Sequence, residues 1–214
     1  MLRRIKREWA YTAVPVILLT CFFSYEKIVA AKQLVVAEES PLANVDTQAG
    51  DGILKDTRSI AKAIESRSLG KLSRQQVNRM ASHILMLSKR YEFSPALILS
   101  LIDVESRFQP NAVSDQGAMG LMQLKPETAH AIAEKLGIPW FGEESLLDPR
   151  LNLEMALHYL QELRRKFKTP QYYLVAYNQG PERLNQIIRS GQPLPDRYYN
   201  KVIKSYRSYH SGVY

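Results

Sequence analysis

Glu105 closes an apolar run that begins at Ser94-Pro95, and its neighbours set out the chemistry available to it. Ser-Pro is a helix start, with a capping side chain followed by proline in the first turn. On the helix that follows, Ile98, Leu101, Ile102 and Glu105 fall at i, i+3, i+4 and i+7, so Glu105 shares the apolar face. Asp103 lies roughly 200° around the same helix and points elsewhere. Two close carboxylates thus meet different surroundings. A carboxyl among apolar groups resists ionisation and its pKa rises. Such a group can hold a proton near neutral pH and deliver it to a leaving glycosidic oxygen, as general acids of sugar-cleaving enzymes do. The competing reading is a helix-end glutamate that reaches solvent or pairs with Arg107, and spacing alone leaves both open.

The elements that must position Glu105 are helical. From Ser73 onward Val77, Met80, Ala81, Ile84, Leu87 and Tyr91 recur at helical spacing. Further starts stand at Lys125-Pro126, Asp148-Pro149, Thr169-Pro170 and Gly180-Pro181, and stops at Gly137, Gly180 and Gly191. Strand signals are nearly absent. Residues 73–210 therefore read as an all-α domain of about seven helices. A short polar helix is expected over 57–68, within a linker or stalk that spans 28–72.

Composition narrows the classes. The chain has 214 residues, 45% hydrophobic and 23% charged, enough for one domain with a core plus additional segments. A single cysteine, Cys21, excludes a disulfide framework. The four histidines are too scattered for a metal motif, and no phosphate-binding glycine loop is present, so no metal or cofactor is expected. The net charge of +8 is concentrated in residues 150–214, which carry +7, against −2 for 28–149. A basic end suits a polyanion or is simply a solvated helical surface.

The N-terminus reads as an export signal. Basic residues 1–8 form a cytoplasmic tail, and the uncharged run Trp9–Tyr25 carries aromatic residues at both ends. About 17 residues is the lower limit for crossing a bilayer. The favoured reading is a transmembrane signal anchor over 9–27. Alternatives are a cleaved signal peptide, a lipoprotein signal ending at Cys21, or a buried core helix. Each of these export readings places the helical domain beyond the cytoplasmic membrane, and no nucleic-acid partner is expected there.

Three motifs in order, Glu105-Ser106, Gly117-Ala118-Met119-Gly120-Leu121-Met122-Gln123 and Ala176-Tyr177-Asn178-Gln179-Gly180, resemble those of the lytic transglycosylases of the soluble (SLT) type. Asp148-Pro149, Asn152-Leu153 and Tyr198-Tyr199-Asn200-Lys201-Val202 extend the resemblance over roughly 75–208. The resemblance implies a lysozyme-like fold. It also implies non-hydrolytic cleavage of the MurNAc–GlcNAc β-1,4 bond of peptidoglycan, leaving a 1,6-anhydro-MurNAc end. Glu105 would be the acid and then the base. Ser106, Ser114, Gly120, Met122, Gln123, Tyr177, Asn178 and Tyr198 would contact substrate. Ser114 also reads as a turn residue, and Tyr177 as core filler. The text departs from the family at Lys125, where Met is frequent, at Ala156, where Gly is common, and at Leu194-Pro195-Asp196, where Glu-Thr-Arg is frequent. Two other functions compete. One is a muramidase that hydrolyses the same bond. The other is a non-catalytic peptidoglycan-binding scaffold of an envelope machine such as a secretion, pilus or flagellar apparatus.

Overall fold

The computed structural model describes residues 54–212. They form eight α-helices: α1 (Thr57–Ser68), α2 (Arg74–Tyr91), α3 (Pro95–Glu105), α4 (Pro126–Leu136), α5 (Pro149–Phe167), α6 (Pro170–Gln179), α7 (Pro181–Ser190) and α8 (Arg197–His210). A short 3₁₀ turn, Glu143–Leu147, precedes α5. Among the described residues there are no strands, only isolated bridges of Met119 with Val113 and Leu124. The protein is all-α there, and seven of the helices lie within 73–210. The cytoplasmic tail, the anchor at 9–27 and most of the expected stalk lie outside the described residues. Among the described ones, no helix is long and apolar enough to cross a membrane.

Local chemistry accounts for the boundaries. Ser73 Oγ accepts from the Gln76 N–H, and Gln76 Oε1 accepts from the Ser73 N–H at 2.8 Å, a reciprocal capping box. Ser94 Oγ caps α3 through the Leu97 N–H. Helices α3 to α7 all begin on proline, whose missing N–H costs nothing in a first turn. Gly137 and Gly191 end α4 and α7 in the left-handed region.

The core is organised around α3. Every residue from Pro95 to Ile102 is buried, so this helix is enclosed on all sides rather than along one stripe. It packs along α8 and also against α2 and α1. Helix α1 contributes Ile60, Ala61, Ala63 and Ile64 to the same core. Only the last turn of α3, at Asp103, Val104 and Glu105, regains partial contact with solvent.

Candidate active site

Glu105 is the residue on which the central helix leaves the core. Its Oε1 accepts a hydrogen bond of 2.5 Å from the hydroxyl of Tyr198, in the first turn of α8. Burial pushes the carboxyl up to about 7, opposed by that hydrogen bond and by the nearby charge of Lys201. A substantial fraction thus carries its proton near neutral pH. No ion pair joins it to Arg107, which is exposed. Asp103 turns the other way, as its place on the helix requires. It accepts from Ser205 Oγ at 2.9 Å and lies 3.7 Å from the Arg67 guanidinium.

The chain then reverses through Arg107 and Phe108, both in the left-handed region at φ 51° and 59°. Phe108 is fully buried and secures that turn. Ser106 is buried too, its hydroxyl bonded back to the Ile102 carbonyl, so it finishes the helix and does not face the cleft. In the following loop Ser114 Oγ accepts from the N–H groups of Gln116 and Ala118. Ser114 therefore holds a turn and, in the same position, lines the cleft beside Glu105.

Gly120 has φ +79°, and a Cβ there would collide with the Asn152 amide and the Leu146 carbonyl. Its glycine is required by packing inside the protein. Asn152 is completely buried. Its amide donates to the carbonyls of Met119 and Leu146, and its oxygen accepts from the Met122 N–H. One side chain on α5 thus pins the whole glycine turn. Met122 buries its side chain in the core and offers only its carbonyl, which accepts from Tyr177 at 2.8 Å. Gln123 lines the cleft, but its NH₂ is bonded to the carbonyls of Ala112 and Gly120, leaving Oε1 as its outward group.

The opposite wall comes from the end of α6. Tyr177 and Asn178 line the cleft with Glu105, Ser114 and Gln123 around a volume of about 560 Å³. The Tyr177 ring leans on Tyr159 at 5.8 Å between centroids. Burial and the adjacent Glu105 push the Tyr177 hydroxyl well above its ordinary range, so it stays a neutral donor. Glu105 is the only carboxylate lining this cleft among the described residues. The structure thus gathers Glu105, Ser114, Gln123, Tyr177 and Asn178 in one cavity, with Tyr198 bonded to the acid. Ser106, Gly120 and Met122 lie behind it as supports. Sequence reasoning gave no site role to Tyr159, Gln116 or Thr128, which also line the cleft, nor to Asn152. Asn152 carried a signal as part of Asn152-Leu153, but nothing local shows that a polar residue on an apolar helix will be fully bonded.

Residues 82–212 match the sequence profile described as Transglycosylase SLT domain. The chain is similar to the membrane-bound lytic murein transglycosylase C of Mannheimia succiniciproducens, 30% identical over 139 residues, which is 59% of this chain and 38% of that protein. It is also similar to the soluble lytic murein transglycosylase of Escherichia coli (strain K12), 34% identical over 104 residues, or 46% of this chain and 16% of that one. The chain spans well under half the length of these relatives. Among solved structures, an inactive mutant of lytic transglycosylase Slt from Pseudomonas aeruginosa overlaps 91% of this chain and 33% of its own, with TM-score 0.49 and 22% identity.

Proposed function

The chain belongs to the transglycosylase SLT domain family, and from that premise we propose that it is a lytic transglycosylase of peptidoglycan with Glu105 as its single acid and base. The fold is read as lysozyme-like. The observation that carries the mechanism is the half-buried Glu105 with its pKa raised to about 7, in a cleft whose described lining holds no other carboxylate.

The chemistry follows from that arrangement. Glu105 gives its proton to the leaving oxygen as the bond between that oxygen and muramyl C1 breaks. A retaining glycosidase requires a second carboxylate about 5–5.5 Å away as nucleophile. Among the described residues that position has no candidate: Asp103 is tied to Ser205, and Asp115 is exposed on the loop. As the resemblance to the lytic transglycosylases implies, the substrate's own N-acetyl group takes the role. The muramyl 6-hydroxyl then bonds to C1, and its proton passes to Glu105. The glutamate is regenerated and no water is consumed. Tyr198 holds the carboxyl in place, Gln123 Oε1 and Asn178 are placed to meet sugar hydroxyls, and Ser114 shapes the loop wall beside them.

We place the catalytic domain at 73–210, held in the periplasm by the segment at 9–27, with glycan strands as its partner. Local opening of the wall for an envelope-spanning apparatus suits that arrangement. The test is clearing of purified peptidoglycan by the wild type and by Glu105→Gln. Loss of clearing by at least about a hundredfold supports the assignment. Retention of clearing by Glu105→Gln would refute Glu105 as the acid, and absence of clearing by the wild type would return the chain to the scaffold reading.

A further inference from the structure

Asp103 and Glu105 leave the last turn of α3 on different sides, and both are bonded to α8. Tyr198 donates to Glu105 in the cleft, and Ser205 donates to Asp103 Oδ2 at 2.9 Å behind it. Tyr198 and Ser205 stand at i and i+7 on α8, which is two turns on one face and about 10 Å along the axis. A helix held at one point can still roll or slide, whereas two attachments at that spacing fix both motions.

A third element closes on the rear attachment. Arg67, in the last turn of α1, places Nη1 3.7 Å from Asp103 Oδ2 and donates from Nη2 to Ser208 Oγ at 2.7 Å. Ser208 Oγ in turn donates to the Ser205 carbonyl at 2.7 Å. The guanidinium also lies 5.4 Å from the centroid of the buried Tyr209 ring. One side chain thus bridges α3 and α8. Charge alone would make this a weak feature, because a partly exposed ion pair at 3.7 Å stabilises little. Geometry gives it weight: the planar fork spans partners on two helices, an arrangement that a lysine does not reproduce. Helix α1 also lies outside residues 82–212, the part of the chain that matches the family profile.

Resting on Glu105 as the acid, we infer that Arg67 is a positioning residue: through Asp103 and the Ser205–Ser208 turn it holds α8 where the Tyr198 hydroxyl reaches Glu105. That hydroxyl bond is short and directional, and a slide of α8 by about an ångström takes it to the edge of hydrogen-bond range. Weakening it removes a donor to the ionised carboxyl, so the Glu105 pKa rises. The other groups that face Glu105, Tyr177 on α6 and Lys201 on α8, are chemically unchanged. A carboxyl freed in this way is aimed at the leaving oxygen for less of the time, which lowers kcat and leaves KM nearly alone.

The test follows Arg67→Gln in the full chain by two readouts: the pH profile of peptidoglycan cleavage, and a carbon-13 NMR titration of the Glu105 carboxyl, which needs no turnover. Expected is a kcat lowered about five- to tenfold with KM within about twofold. The alkaline limb and the Glu105 titration both move up by about half a pH unit or more. Arg67→Lys recovers part of the loss, because it keeps the charge toward Asp103 and lacks the fork. In the Tyr198→Phe background Arg67→Gln changes kcat by less than about twofold, since the bond through which it acts is already gone. Asp56→Ala removes the cap at the far end of α1 and lowers stability without touching the cluster, so its limb and titration stay at the wild-type position. An unmoved Glu105 titration in Arg67→Gln, its full loss of kcat repeated on top of Tyr198→Phe, or an equal shift in Asp56→Ala would overturn the inference. A shifted titration in a chain that cleaves no peptidoglycan would leave the positioning in place and refute the catalytic reading alone.

Discussion

The Tyr198 hydroxyl donates to Glu105 Oε1 at 2.5 Å, joining the first turn of α8 to the last turn of α3 across 93 residues of sequence. The bond favours the ionised carboxyl, whereas burial favours the neutral one and prevails. The acid is therefore both held in position and tuned by the same pair.

The wild-type pH–rate profile should show this directly. A general acid must start protonated, so kcat/KM falls as pH rises through about 7. Tyr198→Phe removes a donor to the charged form, which raises the pKa of Glu105 and moves that alkaline limb to higher pH. The same change frees the carboxyl to rotate and lowers kcat by roughly ten- to a hundredfold. An unmoved limb in Tyr198→Phe would mean that the titrating group is not Glu105.

Glu105 also costs the fold something at alkaline pH. Its folded pKa of about 7 exceeds the ordinary 4.5, so the folded state binds the proton more tightly than the unfolded chain. Stability is fully present below 4.5 and is lost as pH rises through about 7. Glu105→Gln has no such loss. Denaturant unfolding should find the variant more stable than wild type at pH 8, by on the order of 2 kcal/mol after allowing for partial exposure, with the difference vanishing near pH 4.

Asn152 and Gly120 are coupled through the space between them. Asn152→Ala leaves the carbonyls of Met119 and Leu146 and the N–H of Met122 without partners. The expected loss is about 2–4 kcal/mol in urea unfolding. Gly120→Ala drives a Cβ into that same amide and into backbone, in a strained conformation. In a double-mutant cycle the two losses should sum to more than the double variant shows, because truncating the Asn152 side chain relieves part of the clash.

The helices were legible because their ends are written locally. Ser94-Pro95, Asp148-Pro149 and Thr169-Pro170 start helices for reasons confined to a few residues. The apolar stripe that carried Glu105 was narrower than the real burial, since α3 is enclosed all round and its hydrophobic residues show little net direction. Motif order singled out Ser114, Gln123, Tyr177, Asn178 and Tyr198, which converge on the acid. It did not tell which loop residues face inward. That depends on the positive φ of Gly120 and of Gln123, at 79° and 48°, and glutamine gives no warning of it. Hence Met122 turns into the core beside a Gln123 that faces the cleft. The bond from Tyr198 to Glu105 is set by packing of α8 along α3, which no local pattern encodes.

The most direct test of the central claim is mass spectrometry of a peptidoglycan digest made with the wild-type chain, with Glu105→Gln alongside. A lone acid and base that closes the 6-hydroxyl onto C1 must yield 1,6-anhydro-MurNAc ends, lighter by one water than hydrolytic products, and Glu105→Gln must yield none. Reducing MurNAc ends as the main product would contradict the account and make the chain a muramidase.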